Sequence, residues 1–159
     1  MKDKICMKGE FFIQAVEAET GKVIKTWSLK NLLTEVNQNV RVEMLLGTYS
    51  GTVEDLAIKY FAFGTGTGTP SVTDTQLFNE VYRKQVTQVS NPSQGIVQSV
   101  CSLGSQEANY NLTEIGVFCG PNASSLPSTG TMISHIMFSF SKNTNVVLNI
   151  LRTDTCTIN

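Results

Sequence analysis

Val81-Tyr82-Arg83-Lys84-Gln85-Val86-Thr87-Gln88-Val89, followed by Asn91-Pro92-Ser93-Gln94-Gly95 and then Ile96 to Leu103, is the stretch that decides the fold class. Its first nine residues alternate apolar and polar, the period of a pleated strand with one face buried. Asn, Pro, Ser and Gly then supply a turn, and a second β-rich run follows. The segment therefore reads as a long antiparallel hairpin, and the rest of the chain repeats the theme.

Upstream, Phe11 to Val16 and Val23 to Trp27 flank the turn Glu19-Thr20-Gly21-Lys22 as a second hairpin. Ala57 to Phe63 has the β-branched and aromatic content of a strand covered on both faces. Gly64-Thr65-Gly66-Thr67-Gly68-Thr69-Pro70 follows at once, and Gly at every second place closed by Pro forces a loop. Thr73 or Asp74 reads as the cap of one short turn around Gln76 to Phe78. Downstream, Leu112 to Cys119, Met132 to Ser141 and Val146 to Cys156 read as strands. Gly116 marks a bulge or a close backbone approach, and Gly120 to Gly130 an exposed loop.

One helix stands out. Asn31 can cap Leu32, Leu33, Val36, Val40, Met44 and Leu45, whose spacings of three and four share a face, and Gly47 ends the run. The expectation is a mainly β fold: an antiparallel β-sandwich of about seven or eight strands with one helix near residues 32–46. No linker divides the chain, so residues 10–159 are expected to form a single domain. Residues 1–9 form a charged N-terminal arm, ordered only when docked.

Composition narrows the function. Twelve Lys plus Arg against 13 Asp plus Glu give a net charge of −1, and no basic cluster exists to grip phosphates, so nucleic acid is not an expected partner. The apolar runs are too short to span a bilayer, and the amino terminus lacks the apolar stretch of a secretory signal. Neither a membrane nor secretion is expected. Cys6, Cys101, Cys119 and Cys156 form no C-x-x-C pair and stand beside a single His, which argues for packed free thiols and against zinc.

Each candidate for chemistry has a structural reading that outweighs it. The Gly64, Gly66, Gly68 loop lacks both the third Gly of a dinucleotide fingerprint and the Lys-Ser/Thr of a phosphate loop, so it reads as structural. His135 lies in the apolar run Met132 to Met137 with no acid or nucleophile adjacent in sequence, and reads as a packed or interface residue. Glu80 and Glu114 sit inside apolar strand-like stretches where an unpaired charge is costly. With Arg83 three residues from Glu80, the expectation is a pair that fixes a loop or a subunit contact, not an acid and base. No catalytic residue, cofactor or metal is expected.

Four segments taken in order carry a resemblance: Asn31-Leu32-Leu33 before the helix, Tyr60 to Pro70 around the Gly-Thr repeat, Asp74 to Arg83, and Thr113-Glu114-Ile115-Gly116-Val117-Phe118. Together they resemble a group of small structural proteins of tailed bacteriophages, described as tail fibre, baseplate or similar virion components. That group's wording is an N-L-I start, a GTGTTAP loop, an L-x-x-E-x-x-R turn and an I-T-E-x-G-L-F strand. Val117 stands where the group has Leu, and Cys119 to Gly130 has no counterpart. The resemblance spans about Gly9 to Ile150, and its motifs contain no catalytic residue.

It implies a non-enzymatic virion subunit of the tail, baseplate, neck or capsid exterior, acting as fibre, adaptor or decoration. Such a subunit would be assembled in the host bacterial cytoplasm, contact other virion proteins and self-associate, as a trimer or hexamer. Long strands whose edges need covering give this a physical basis. Glu80, Arg83, Glu114, Gly64, Gly66 and Gly68 are the structural or interface candidates. The alternative is a carbohydrate-binding β-sandwich at the host cell surface, with Tyr49, Tyr60, Phe63 and Tyr110 as the aromatics near turns.

Overall fold

The computed structural model describes residues 5–158. The fold is mainly β, with two antiparallel five-stranded sheets and one α-helix, consistent with the β-sandwich class. Its contacts cluster in two compact units. One takes the chain up to Asn31, Val86–Asn109 and the chain from Asn143 onward; the other takes Leu32–Gln85 and Tyr110–Lys142.

The first unit holds β1 (Ile5–Glu17), β2 (Val23–Lys30), β6 (Gln88–Ser93), β7 (Ile96–Leu103) and β10 (Val146–Ile158), in the sheet order β2-β1-β10-β7-β6. Period-two patterning sets its buried face in cross-strand rows. Ile13 faces Ile150, which faces Cys101; Ala15 faces Leu148, which faces Leu103; all six are buried. The expected hairpin of β1 and β2 forms, with Ile13 opposite Trp27. Of the residues assigned to an N-terminal arm, 1–4 lie outside the described residues, while Ile5–Gly9 pair with β10 from Ile158 to Asp154.

The second unit holds β3 (Leu32–Leu33), α1 (Glu35–Leu46), a 3-10 turn (Val53–Leu56), β4 (Ile58–Gly64), β5 (Glu80–Gln85), β8 (Asn111–Cys119) and β9 (Thr131–Ser141). Its sheet runs β3-β9-β8-β4-β5, and Ala62, Leu77, Phe118 and Met132 pack together with Tyr60 against them.

The structure corrects several expectations. The strand read as continuous from Val81 to Val89 is two strands in two sheets: β5 pairs with β4, Gln85 opposite Tyr60, whereas β6 pairs with β7, Gln88 opposite Val100. Alternation specifies which side chains face inward but not which neighbour supplies the hydrogen bonds, so a strand that changes ladders keeps its pattern. The helix begins at Glu35 and not at Leu32, because Leu32 and Leu33 are held in register with His135 and Ser134 of β9. Its N-cap is Thr34, whose hydroxyl donates to the Met132 carbonyl at 2.8 Å, so the cap of α1 is not Asn31. At the other end Gly47 adopts φ 69°, the left-handed conformation that closes a helix at little cost to Gly. No helical turn forms around Gln76 to Phe78. Among the cysteines, Cys101 and Cys119 are buried free thiols, but Cys156 is exposed; the side chain of Cys6 lies outside the described residues.

Candidate functional site

Three of the four segments that carry the resemblance meet at one carboxylate in the second unit. Glu114 projects from β8 and is fully buried. Its Oε1 accepts the backbone N–H of Gly66 at 2.9 Å and of Asn79 at 2.8 Å, and its Oε2 accepts the N–H of Phe78 at 2.9 Å. The fourth contact is His135 Nε2 of β9, 3.0 Å from Oε2. A buried carboxylate without donors would be prohibitively costly, whereas hydrogen bonds to a charged acceptor each contribute about 1.5–3 kcal/mol. Glu114 is thus a clasp that draws the Gly-Thr loop and the segment before β5 onto the sheet.

The glycines are explained by the same carboxylate. A Cβ on Gly64 would overlap Glu114 Oε1 and lie 2.6 Å from the Asn79 carbonyl oxygen; one on Gly66 would overlap Phe78 Cβ and lie 2.5 Å from Glu114 Oε1. Gly68 lies under the Phe78 ring, 2.5 Å from its nearest carbon by the same measure. Only a chain without side chains at these places can pass so close, which accounts for the repeat without any phosphate.

His135 is fully buried, and its Nδ1 lies 2.7 Å from Asp74 Oδ2, which also accepts the Ser71 N–H at 2.8 Å. With a carboxyl oxygen at each ring nitrogen, neither nitrogen is open to a substrate, and among the described residues no hydroxyl or thiol is bonded to the ring. Phe78 covers the imidazole at a centroid distance of 4.9 Å. The packed role expected for His135 fits this geometry. Asp74, read from sequence only as a cap, is the partner that sequence reasoning missed; the signal was its spacing of three from Ser71, the Ser-x-x-Asp pattern in which the carboxylate accepts the N–H three residues back.

Glu80 and Arg83 form a separate cluster. Arg83 Nε and Nη2 donate to Glu80 Oε1 and Oε2 at 2.7 and 2.8 Å, a bidentate pair whose side chains are 1% and 4% exposed. Arg83 also lies over the Phe118 ring at 4.0 Å and donates from Nη1 to the Thr129 carbonyl at 2.6 Å. Glu80 Oε2 in turn accepts the N–H of Ser128, a non-glycine residue at φ 56°. The pair therefore pins the loop from Gly120 to Gly130.

A third feature lies beside that loop. A cavity of about 420 Å³ opens between α1 and the loop, lined by Val36, Val40, Tyr49, Asp55, Leu56 and Pro121 among others. The Tyr49 hydroxyl donates to Asp55 Oδ2, and Asp55 also accepts the Thr52 N–H at 3.0 Å. The Asp55 hydrogen bond pushes the Tyr49 phenol up to about 12, and the reciprocal bond from Tyr49 lowers the Asp55 carboxyl.

Among the described residues no group of His, Cys, Asp and Glu is arranged to hold a metal ion, and no helix is long and apolar enough to cross a membrane. No protein-family model, curated protein or solved structure matches the chain.

Proposed function

We propose that the chain is a non-enzymatic structural subunit of a tailed-phage particle, placed on the tail, baseplate, neck or capsid exterior and acting through subunit contacts. It would be made in the bacterial cytoplasm, incorporated into the virion, and joined to copies of itself, as a trimer or hexamer, and to other virion proteins. One observation carries the reading. The residues on which the resemblance rests converge on Glu114 and on the Glu80–Arg83 pair, and there they hold loops in place. A residue set used wholly to fix shape suits a protein whose product is a surface.

The geometry also weighs against the alternatives. Of the four aromatics read as candidates for a sugar-binding face, Phe63 is buried, Tyr60 packs on the core, Tyr49 is bonded to Asp55, and Tyr110 alone of the four is largely exposed. A hydrolase would need a carboxylate or imidazole facing solvent, whereas Glu114 and His135 are occupied by each other and by backbone. The test is peptide mass spectrometry of purified phage particles from cultures that express the chain. Recovery at a fixed copy number per particle is the expected result; good expression with no peptide in the particles refutes the proposal.

A further inference from the structure

One face of the β2-β1-β10-β7-β6 sheet carries the buried rows described above, and the other is patterned as a strip. Register sets its side chains in three rows that run across the strands. The middle row is Ser28, Phe12, Leu151, Val100 and Gln88. On one side of it run Lys30, Glu10, Thr153, Gln98 and Ser90, and on the other Thr26, Gln14, Asn149 and Ser102. Three adjacent apolar side chains are thus bracketed on every side by hydroxyls, amides and one charge pair.

Phe12 is the centre of the strip. It is 41% exposed although β1 is an inner strand of the sheet, and a depression of about 310 Å³ beside it has Glu10, Ser28, Lys30 and Thr153 in its wall. Other exposed apolar side chains lack this setting: Ile24 lies on the edge strand, and Phe78 is committed to covering Gly68 and His135. The polar neighbours are held ready. Ser102 Oγ donates to Asn149 Oδ1 at 2.8 Å, and Gln98 Nε2 to Thr153 Oγ1 at 3.5 Å, both between β7 and β10. These bonds orient the two amides and leave the Asn149 NH₂ and the Gln98 amide oxygen uncommitted among the described residues, so less ordering is needed when a ligand arrives.

The same rows select the ligand's chemistry. Glu10 and Lys30 are the only charged residues in them, and they stand opposite each other on β1 and β2, so the strip offers no net charge to an anion or a cation. A wholly apolar partner would strand the hydroxyls and amides without bonds. A sugar ring meets both demands, because its C–H face is apolar and its rim is hydroxyl groups. Five strands spaced by about 4.8 Å make a row roughly 19 Å long, which suits an extended chain of rings better than a single one.

We infer that this strip binds a neutral glycan chain laid across the strands, with one ring stacked on Phe12 and hydroxyls bonded to Ser28, Thr153, Gln98 and Asn149. None of the four aromatics read as sugar-binding candidates from the sequence lies on it. The site is contained in one sheet and is a second activity, separate from the subunit contacts proposed above.

Proton–nitrogen correlation NMR of the isolated, labelled protein tests it, by titration with maltohexaose, cellohexaose and hexa-N-acetylchitohexaose at millimolar concentrations and with a heparin hexasaccharide as the anionic control. At least one neutral chain is expected to bind and to shift the amides around Phe12, Leu151 and Val100, with no change on adding salt. Phe12→Ala should weaken that binding about 10-fold or more, and Gln98→Ala about 3- to 10-fold. Neither side chain belongs to the buried rows, and the spectra themselves report that each variant is folded. No shift with any neutral chain overturns the inference. So does binding that Phe12→Ala leaves at wild-type strength, or tighter binding of the heparin fragment that salt abolishes. The assembly reading stands or falls separately, on the particle proteomics.

Discussion

Replacing Glu114 by Gln removes a charge while keeping nearly the same volume, so its effect isolates the clasp. The carboxylate accepts from Gly66 and Asn79 at one oxygen and from Phe78 at the other, where His135 also lies. A Gln amide has one oxygen. Placed at the Gly66 and Asn79 side, it keeps two bonds but turns an NH₂ toward the Phe78 N–H; placed at the other side, it leaves two backbone donors unmet. In the better orientation one buried donor is stranded, at about 1–3 kcal/mol, and the two surviving bonds each weaken by about 1 kcal/mol once the acceptor is neutral. His135 can still accept from the new NH₂ by carrying its proton toward Asp74. The sum is about 3–5 kcal/mol, which for a urea m-value of about 2 kcal/mol/M lowers the unfolding midpoint by about 2 M. Equilibrium urea unfolding followed by Trp27 fluorescence measures it. A loss below about 1 kcal/mol would refute the clasp. Glu114→Ala gives an independent check, since it leaves three convergent N–H groups and an imidazole around an empty site. Acetate should then stabilise the variant more than chloride does at equal ionic strength.

The remaining predictions concern the neighbouring features. Gly66→Ala places a methyl against Phe78 and Glu114 and should cost more than about 2 kcal/mol by thermal or urea unfolding, against about 1 kcal/mol for Gly47→Ala at the end of α1. Arg83→Lys keeps the charge but loses the fork and the bond to Thr129, with an expected loss of about 2–4 kcal/mol and faster proteolysis between Gly120 and Gly130. Tyr49 ionisation, followed as phenolate absorbance and identified by its loss in Tyr49→Phe, should fall near 12 and move back toward 10.0 in Asp55→Asn. Because the folded value is raised, the stabilising contribution of Tyr49 is present below 10.0 and disappears as pH rises through about 12. The Asp55 carboxyl is shifted the other way, so its contribution is present above 3.8 and fades as the group is protonated on acidification.

Strands were the most legible part of the sequence, because alternation reports directly on which side chains face inward. Ladder membership was not, and the β5 to β6 step shows why: Val86 and Thr87 continue the pattern while the hydrogen-bonding partner changes. The start of α1 was misplaced for a related reason. Leu32 and Leu33 fit a helical face, but two residues of pairing with β9 claim their backbone first. Glu80 and Arg83 could be paired because both lie within one turn of sequence. Glu114 could be singled out as a charge in an apolar strand, yet three of its four partners are backbone N–H groups, and backbone leaves no mark in residue identity. Asp74 is 61 positions from His135, a separation at which only the folded chain brings them together.

The interleaving of the two units has a further consequence, for how such a chain can be divided or inherited. One unit is assembled from three separate stretches and the other from two. No uninterrupted fragment encodes either of them. A truncation at any point between Leu32 and Lys142 leaves both incomplete, one outside that span breaks the first, and an exchange of modules between related genes cannot transfer one unit without breaking the other. Variation should therefore accumulate by substitution and by change of loop length, above all between Gly120 and Gly130, and not by the replacement of whole segments.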